Sequence, residues 1–487
     1  MRAALPGTID ADVAVVGAGP AGLAAAVAAA EAGAAVVVVD AGPQPGGQFW
    51  RHRPETVEPD PDGRGHHGWR TYRDLRARFD AAHDTGRIAY FPGQQVWMTE
   101  KADTGFVVRT TPTVTGNRTS GKTGGGTTVI ARRLVLCPGG YDRQLPVPGW
   151  DLPGVMAAGG IQAFIKGNGA LPGKRFVIAG TGPFLLPVAA GIAEAGGQVL
   201  AVLESSSPTA WLPHLRAAAG VPAKAVEGLE YAAAFARHRI PYRIRTIVTE
   251  VLGDGRASGV RTAKVDADGR VRPGTERAYQ NVDVIGFGWG FTPQMELPLS
   301  LGADTRLDAD GSLVGVVTER QESSIPGLYL AGEATGVGGA TLAVFEGLTA
   351  GAAAAAAAEA PAGVSGFRAM ARHRRFAAAM HRAHPLPAAW QDWLTPQTTV
   401  CRCEEVTARE ITEARENLGA RDARTLKSFT RAGMGWCQGR VCGFAAACLG
   451  SGPGTTPTLE SLSAAAKRPL AAPVNIGELA LLTTTAN

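Results

Sequence analysis

The chain has 487 residues, of which 45% are hydrophobic and 19% charged, and its 64 glycines and 32 prolines indicate a folded protein rich in tight turns. Its formal net charge of +5 comes from lysines and arginines scattered among acidic residues, so no basic stripe predicts nucleic-acid binding. The sequence shows neither a secretory signal nor an apolar run of spanning length, and we expect a cytoplasmic protein without a membrane span.

The beginning of the chain carries the pattern of a dinucleotide-binding βαβ unit. A strand from Asp12 to Val16 is followed by a glycine-rich turn, a helix to about Ala32 and a second strand that ends at Asp40. The glycines permit a tight turn, close approach of the backbone to a pyrophosphate and close helix packing, and the acid accepts hydrogen bonds from a ribose. The cofactor-binding residues predicted here are Gly17, Gly19, Pro20, Ala21, Gly22 and Asp40.

A second unit of the same plan begins at Arg175 and matches the fingerprint less well. Gly180 and Gly182 are present, whereas Leu185 occupies the place of the third glycine. Glu204, at the end of the following strand, would favour NAD over NADP because a carboxylate repels a 2′-phosphate. Two interpretations stay open: these residues bind NAD or another adenine nucleotide, or they belong to a retained scaffold that binds nucleotides weakly or not at all.

Three further segments resemble signatures of the flavoproteins with two dinucleotide-binding domains, the group of the glutathione and thioredoxin reductases. They run from Pro45 to Gln48, from Leu134 to Gly140 and from Leu328 to Ala340. The resemblance implies FAD in the first unit, with a helix near Ala340 whose N-terminal dipole stabilises the reduced flavin. The further FAD-binding residues that it implies are Gly47, Gln48, Val96, Cys137, Gly139, Gly332, Glu333, Gly339 and Ala340.

Four cysteines form two close pairs towards the C-terminal end: Cys401 with Cys403, and Cys437 with Cys442. Four thiolates are the ligands that a [2Fe-2S] cluster requires. Zinc is the competing interpretation, although structural zinc motifs usually place two or more residues between paired cysteines. Cys448 is expected to be a buried helix residue. No Cys-x-x-Cys pair lies in either nucleotide-binding unit, so we do not expect disulfide reduction.

The segments from Cys401 to Val406 and from Arg431 to Cys442 resemble the bacterioferritin-associated-ferredoxin-like (BFD-like) [2Fe-2S] domain. With the flavoprotein signatures and the tail from Arg468 to Glu478, they make nearly the whole chain similar to the alpha-type subunits of heteromeric amino-acid and imino-acid dehydrogenases. That group contains the opine oxidase A-type subunit, the hydrogen cyanide synthase B-type subunit, and the D-hydroxyproline and proline dehydrogenase alpha subunits.

The resemblance implies that this chain transfers electrons through FAD and a [2Fe-2S] cluster, and that a D-amino-acid-oxidase-like FAD beta subunit oxidises the amine. A small ferredoxin-like gamma subunit, and FMN at a subunit interface, are components that it leaves open. The alternatives are a stand-alone NAD(P)H:acceptor oxidoreductase, which would deliver electrons through its cluster, and a mainly scaffolding subunit.

The expected fold is α/β, with two nested Rossmann-like dinucleotide-binding domains of the glutathione and thioredoxin reductase type and a small helical [2Fe-2S] domain. The predicted domains are a discontinuous FAD-binding domain at 1–145 and 282–360, an inserted NAD(P)-binding-like domain at 146–281, a helical linker at 361–397, a BFD-like [2Fe-2S] domain at 398–450 and a C-terminal tail at 451–487.

Two groups of polar residues lie outside these motifs. His373, His381 and His384 occur on a basic helical stretch, where we expect a solvated or partner-facing surface. Arg440 lies between two predicted cluster ligands, where it either tempers the negative charge of the cluster or is merely solvated.

Overall fold

The computed structural model describes residues 7–58, 61–63, 65–113, 126–356, 364–474, 476 and 479–480. The strands are β1 (Thr8–Val16), β2 (Val36–Asp40), β3 (Ile88–Pro92), β4 (Gln94–Ala102), β5 (Gly105–Pro112), β6 (Thr128–Leu136), β7 (Gly140–Asp142), β8 (Val155–Ala157), β9 (Arg175–Gly180), β10 (Gln198–Glu204), β11 (Tyr242–Ile244), β12 (Thr246–Gly253), β13 (Ala257–Lys264), β14 (Arg277–Gln280), β15 (Val284–Gly288), β16 (Phe291–Pro293), β17 (Thr305–Leu307), β18 (Leu313–Gly315), β19 (Leu328–Leu330), β20 (Thr399–Cys401) and β21 (Val406–Thr407).

The helices are α1 (Pro20–Glu31), α2 (Trp69–Asp84), α3 (Ala158–Asn168), α4 (Leu185–Glu194), α5 (Leu215–Ala219), α6 (Pro222–Arg237), α7 (Glu296–Ser300), α8 (Ala340–Ala355), α9 (Val364–Ala383), α10 (Ala408–Asn417), α11 (Ala423–Thr430), α12 (Gly443–Ser451) and α13 (Leu459–Ala466). Short 3₁₀ helices span Pro208–His214, Gly332–Thr335 and Trp390–Trp393. The predicted boundary between the first domain and the linker, at residues 360 and 361, lies outside the described residues.

The first sheet has seven strands in the order β3-β2-β1-β6-β5-β4, with β19 paired to the end of β6. Successive residues of a strand point to opposite faces. Val13 and Val15 therefore pack with α1 and α8 on one face, whereas Ala14 and Val16 pack with apolar residues of β4, β5 and β6 on the other. Because both faces of the parallel strands are covered, β2 is an almost unbroken apolar run.

The second sheet consists of five parallel strands in the order β11-β10-β9-β15-β8. The pairing of β15 with β8 and β9 assigns Val284–Gly288 to this inserted sheet. The first domain therefore resumes after Gly288 and not at residue 282, because β15 completes the inserted sheet before the chain returns. The antiparallel pair β7–β16 lies where the chain leaves and re-enters the first domain.

Helices α1 and α8 pack against each other through glycines. A Cβ atom on Gly347 would lie 2.1 Å from the carbonyl oxygen of Ala21, and one on Gly351 would lie 2.1 Å from that of Ala25. No side chain fits between the two backbones here, so the interior of α8 contains glycine despite its low helix propensity. This packing fixes α8 relative to the glycine turn at the start of α1.

We expect Gly347→Ala to destabilise the protein by about 1–3 kcal/mol, because the added methyl overlaps a backbone carbonyl that must move. Urea unfolding measures this change. The matched control is Gly228→Ala in the interior of α6, where no atom lies within 4 Å of the new Cβ. The control should be neutral or stabilising by up to about 1 kcal/mol. Equal effects of the two substitutions would contradict the packing argument.

The C-terminal module, formed by β20, β21 and α10 to α12, packs against the inserted domain. Trp150 Nε1 donates a hydrogen bond of 2.5 Å to the carbonyl oxygen of Thr399, and the rings of Trp289 and Trp393 lie 5.6 Å apart. Trp150 belongs to one core shared by the inserted domain and the module, and Trp289 and Trp393, which flank these two units in the chain, join the same core. In the part of the chain that the structure describes, no helix has the length and apolar character needed to cross a bilayer.

Candidate functional site

The glycine turn before α1 leaves no room for side chains. Gly17 has a φ of +96°, and a Cβ atom there would lie 2.3 Å from the carbonyl oxygen of Cys137. A Cβ atom on Gly22 would lie 1.7 Å from the carbonyl oxygen of Gly17. The roles predicted for these two glycines, in the tight turn and in helix packing, therefore have a direct steric basis.

Gly19 and Gly47 face each other across a narrow backbone cradle. Gly47 has a φ of +60°, and a Cβ atom there would lie 2.7 Å from the Cα atom of Gly19. Helix α1 begins at this cradle with Pro20 and Ala21. Free N–H groups at a helix N-terminus bind anions, so this cradle fits a pyrophosphate.

Asp40 ends β2 beside the glycine turn and keeps an unused hydrogen-bond acceptor. Its Oδ2 atom is buried without a hydrogen-bond partner among the described residues. Burial raises the pKa of Asp40 to about 6, although the backbone N–H groups of Ala18, Gly42 and Ala41 oppose this by donating to the carboxylate. Ribose hydroxyls would supply the missing donors.

The start of α8 lies near a pair of half-buried acids, Asp142 and Glu333. Gly339, with a φ of +82°, precedes Ala340, the first residue of the helix. Burial, together with the charge of Asp142, raises the pKa of Glu333 to about 7. A Cβ atom on Gly140 would lie 2.5 Å from Glu333 Oε2 and 3.0 Å from the carbonyl oxygen of Thr292, so the glycine lets β7 approach this carboxyl group closely. Near neutral pH, Glu333 can therefore serve as a hydrogen-bond donor as well as an acceptor.

Glu346 is a structural residue of this site that the predicted set does not include. Its Oε2 atom accepts hydrogen bonds from Gly332 N at 3.0 Å and Thr335 Oγ1 at 2.9 Å, and its Oε1 atom accepts one from Arg374 Nη2 at 2.8 Å. Arg374 also donates to Gln321 at 2.6 Å. Glu346 thus ties the turn that carries Glu333 to helices α8 and α9.

The remaining residues predicted to contact FAD differ in whether their side chains or only their backbones can reach the cofactor. The side chains of Val96 and Cys137 are buried in the core, so these two residues can reach a cofactor only through their backbones. Gln48 Oε1 accepts a hydrogen bond of 3.1 Å from Arg51 Nε. Gly139 has a φ of +77° and open space where a Cβ atom would lie.

The second glycine turn is closed by its own acid. Gly180 and Gly182 have positive φ values of +148° and +97°. Glu204, only 1% exposed, accepts hydrogen bonds from Gly182 N, Thr181 Oγ1 and Ser206 N, each at 2.9 Å, and from Ser206 Oγ at 2.8 Å. Whereas Asp40 keeps a free acceptor, both oxygens of Glu204 are already engaged by the protein.

His384, just after α9, completes this closure. Its Nδ1 atom lies 2.8 Å from Ser206 Oγ and 3.7 Å from Glu204 Oε2, and its Nε2 atom accepts a hydrogen bond of 3.1 Å from Trp211 Nε1. A Cβ atom on Gly182 would lie 3.9 Å from His384 Cβ. Burial would raise the pKa of Glu204, but the neighbouring His384 and the hydrogen bonds from Ser206 outweigh it and lower this pKa.

The prediction of a solvated or partner-facing surface is wrong for His384, which is held between Ser206 and Trp211. His373 and His381 are partly exposed, and for them it stays a prediction. His381 Nε2 lies 2.8 Å from the carbonyl oxygen of Val337, and His384 Nδ1 lies 2.8 Å from Ser206 Oγ, shortly after the end of β10. Both contacts join residues far apart in sequence, so the basic composition of the helix gave no indication of them.

The four predicted cluster ligands lie together in the C-terminal module. The Cys442 thiol contacts the sulfurs of Cys401 and Cys437, and Cys403 contacts Cys437. The hydrogen bond from Cys442 lowers the pKa of Cys401 to about 6 and that of Cys437 to about 4. Cys448 is buried in α12 and has no part in these contacts.

Backbone N–H groups surround the same thiols. Gly433, Glu404 and Cys403 donate to the sulfur of Cys401, and Val441 and Gly439 donate to that of Cys437. Donors of this kind stabilise thiolate ligands and tune the potential of an iron–sulfur cluster. Within the described residues, no three or more His, Cys, Asp and Glu side chains are arranged to hold a single metal ion.

Arg440 is anchored and not merely solvated. It lies between Cys437 and Cys442, donates to the hydroxyl of Tyr141, and donates to the carbonyl oxygen of Ala471 at 2.5 Å. It also forms an ion pair of 3.1 Å with Glu296. The guanidinium therefore connects the cluster loop to the first domain.

Comparison with known proteins agrees with this geometry. Residues 11–359 match the pyridine nucleotide-disulphide oxidoreductase family, and residues 399–448 match the BFD-like [2Fe-2S] binding domain. The first match implies FAD, whose ribose and pyrophosphate fit Asp40 and the facing glycines, and the second implies a [2Fe-2S] cluster, which fits the thiol group.

The chain also has relatives over most of its length. It is 32% identical over 500 residues to the A-type subunit of opine oxidase from Rhizobium meliloti (strain 1021), covering 96% of this chain and 98% of the relative. It is 31% identical over 442 residues to hydrogen cyanide synthase subunit HcnB of Pseudomonas aeruginosa, covering 88% and 90%.

A solved structure, L-proline dehydrogenase from P. horikoshii, shares the fold, with a TM-score of 0.65 and 19% identity over 97% of this chain and 80% of that chain. The α/β fold with a C-terminal [2Fe-2S] module is thus confirmed. This chain is an oxidoreductase that belongs to the pyridine nucleotide-disulphide oxidoreductase family and carries a BFD-like [2Fe-2S] domain.

Proposed function

We propose that this chain is the FAD- and [2Fe-2S]-containing electron-transfer subunit of a heteromeric dehydrogenase or oxidase of amino or imino acids, of the opine, hydroxyproline, proline or glycine type. Two of its relatives are named as subunits, one of opine oxidase and one of hydrogen cyanide synthase. In this proposal a D-amino-acid-oxidase-like FAD beta subunit oxidises the C–N bond in the cytoplasm, and the proposal leaves open an interfacial FMN and a small ferredoxin-like gamma subunit.

The contrast between the two glycine turns carries the proposal. The first turn offers an unsatisfied acid and a backbone cradle, whereas Glu204 and His384 fill the corresponding space at the second. A nucleotide at the second turn would have to displace hydrogen bonds that already satisfy a buried carboxylate, which is costly. Entry of electrons from a partner subunit is therefore favoured over entry from NADH.

The residues of the chain have distinct parts in this function. FAD and the cluster supply the redox chemistry when bound. The N-terminus of α8 favours negative charge near Glu333 and would lower the cost of reducing a flavin there. The N–H groups around Cys401 and Cys437 would hold the cluster in a fixed electrostatic environment.

A stand-alone NAD(P)H:acceptor oxidoreductase is the second candidate. The observation that favours it is the retained backbone of the second turn, where Gly180 and Gly182 keep the positive φ values of the fingerprint. If the contacts of His384 open readily, NAD or another adenine nucleotide could bind there.

Anaerobic stopped-flow absorbance separates the two candidates. We expect stoichiometric NADH to leave the flavin of the purified chain oxidised, because the second turn is closed. The matched experiment adds a substrate amine together with the beta subunit, after which the flavin and the cluster should bleach. Rapid bleaching by NADH without a partner would contradict the proposal, as would full-rate oxidation of opines, prolines or glycine by this chain alone.

A further inference from the structure

A cavity of about 110 Å³ lies between the first domain and the cluster module. Its lining comes from the crossing strands β7 and β16, from α7, from the loop between Cys437 and Cys442, and from α11 to α13. Leu313, Phe444 and Leu462 supply apolar walls. A water needs roughly 10–15 Å³ of such space, so the cavity has room for several waters or one small solute.

The cations around this cavity outnumber the acids. Arg143 is paired with Asp310 at 3.1 Å, and Arg440 is paired with Glu296 at 3.1 Å. Lys427 also lines the cavity, and no acidic side chain of the described residues forms an ion pair with it.

Arg468 is the group that most clearly lacks a partner. Its Nε and Nη1 atoms are buried and make no hydrogen bond to any described residue. Burial lowers the pKa of Arg468; the negative charge of Glu296 opposes this, and the positive charge of Arg440 adds to it. Buried guanidinium nitrogens without a hydrogen-bond acceptor are unfavourable unless a bound group supplies one.

We propose that this cavity binds a small oxyanion, a phosphate or a carboxylate, which Arg468 and Lys427 hold. The planar guanidinium presents paired N–H groups that match two oxygens of either anion.

The position of the cavity links anion binding to the cluster. A Cβ atom on Gly439 would lie 3.3 Å from Arg468 Nη2, so the guanidinium lies against the loop that connects Cys437 and Cys442. Reduction adds a negative charge to the cluster, and nearby cations favour it. An anion bound to Arg468 would offset the positive charge of the guanidinium and so lower the reduction potential of the cluster. This change in potential rests on the proposed cluster, whereas the anion site does not.

Calorimetry on the holoprotein tests the site, with inorganic phosphate and acetate as separate probes in a buffer free of other oxyanions. We expect saturable binding of at least one probe. In Arg468→Gln the affinity for that probe should fall by about tenfold or more, since a charged hydrogen bond is lost. The matched control is Lys467→Gln, which changes an exposed neighbour that does not line the cavity. Lys427→Gln is the second test variant if Arg468→Gln fails to fold.

A redox titration followed by the visible absorbance of the cluster tests the link. The bound probe should lower the potential of the wild type and of Lys467→Gln, and should leave that of Arg468→Gln unchanged. Absence of saturable binding, or equal affinity in Arg468→Gln and wild type, would overturn the site and indicate an adventitious ion only. Binding that depends on Arg468 but leaves the reduction potential unchanged would overturn the link. Iron analysis before the titration identifies any protein that lacks the cluster.

Discussion

Replacement of Cys442 by serine is expected to remove the iron–sulfur cluster while the FAD-binding domain stays folded. Cys442 is 2% exposed and contacts both Cys401 and Cys437, so it lies at the centre of the thiol group. Iron content should fall from about two atoms per chain to near zero, because a [2Fe-2S] cluster needs four thiolate ligands. Iron and sulfide analysis, with the EPR signal of the reduced protein, measures the change.

The matched control for this substitution is Cys448→Ser. Cys448 is also buried, and it lies on α12, which begins directly after Cys442, but it makes no contact with the other thiols. This variant should keep its iron, with at most a modest loss of stability. Loss of iron in Cys448→Ser together with retention in Cys442→Ser would refute the ligand assignment. One zinc per wild-type chain in place of iron would favour the competing zinc site.

The parts of this molecule that could be predicted from sequence are those that local patterns encode. Gly17, Gly22 and Asp40 have a fixed spacing because two strands, one turn and one helix place them. The role of Cys401 and Cys442 as cluster ligands was predictable for a different reason, because each belongs to a close pair of cysteines and four thiolates are what a [2Fe-2S] cluster requires. Local geometry and ligand chemistry therefore account for the correct α/β fold class.

The contacts that close the second turn could not be predicted in this way. His384 and Ser206 are 178 positions apart, and only the path of α9 across the inserted domain brings them together. Similarly, Arg440 meets Tyr141 across 299 positions. The assignment of β15 to the inserted sheet also depends on strand pairing, which a hydrophobic run does not specify. These long-range contacts decide how the two glycine turns differ.

Loss of charge at the two acids that end β2 and β10 should affect different properties of the protein: cofactor binding for Asp40 and fold stability for Glu204. Asp40→Asn should weaken FAD binding, because one neutral amide oxygen is a weaker acceptor for the ribose hydroxyls than a carboxylate with two oxygens. Glu204→Gln should instead destabilise the fold by about 3–5 kcal/mol, because its buried, multiply hydrogen-bonded carboxylate is lost. FAD retention after gel filtration and urea unfolding of the apoprotein measure the two effects.

The pH dependence of apoprotein stability gives a sharper test. The pKa of Asp40 is raised from 3.8 to about 6 by burial, so between these values the folded state binds more protons than the unfolded state. The free energy of unfolding should therefore fall as pH rises through this window, by at most about 3 kcal/mol from this group. The free energy of unfolding of Asp40→Asn should not fall in this window, so above pH 6 this variant should be more stable than the wild-type apoprotein.

Glu204 should show the opposite dependence. Its pKa is lowered in the fold, so its contribution to stability is present above its unfolded pKa and is lost as pH falls. Glu204→Gln should be the less stable protein at neutral pH, and the difference from wild type should shrink in acid. If Asp40→Asn retained FAD fully and Glu204→Gln unfolded like the wild type, the first turn would not be the open nucleotide site, nor the second the closed one.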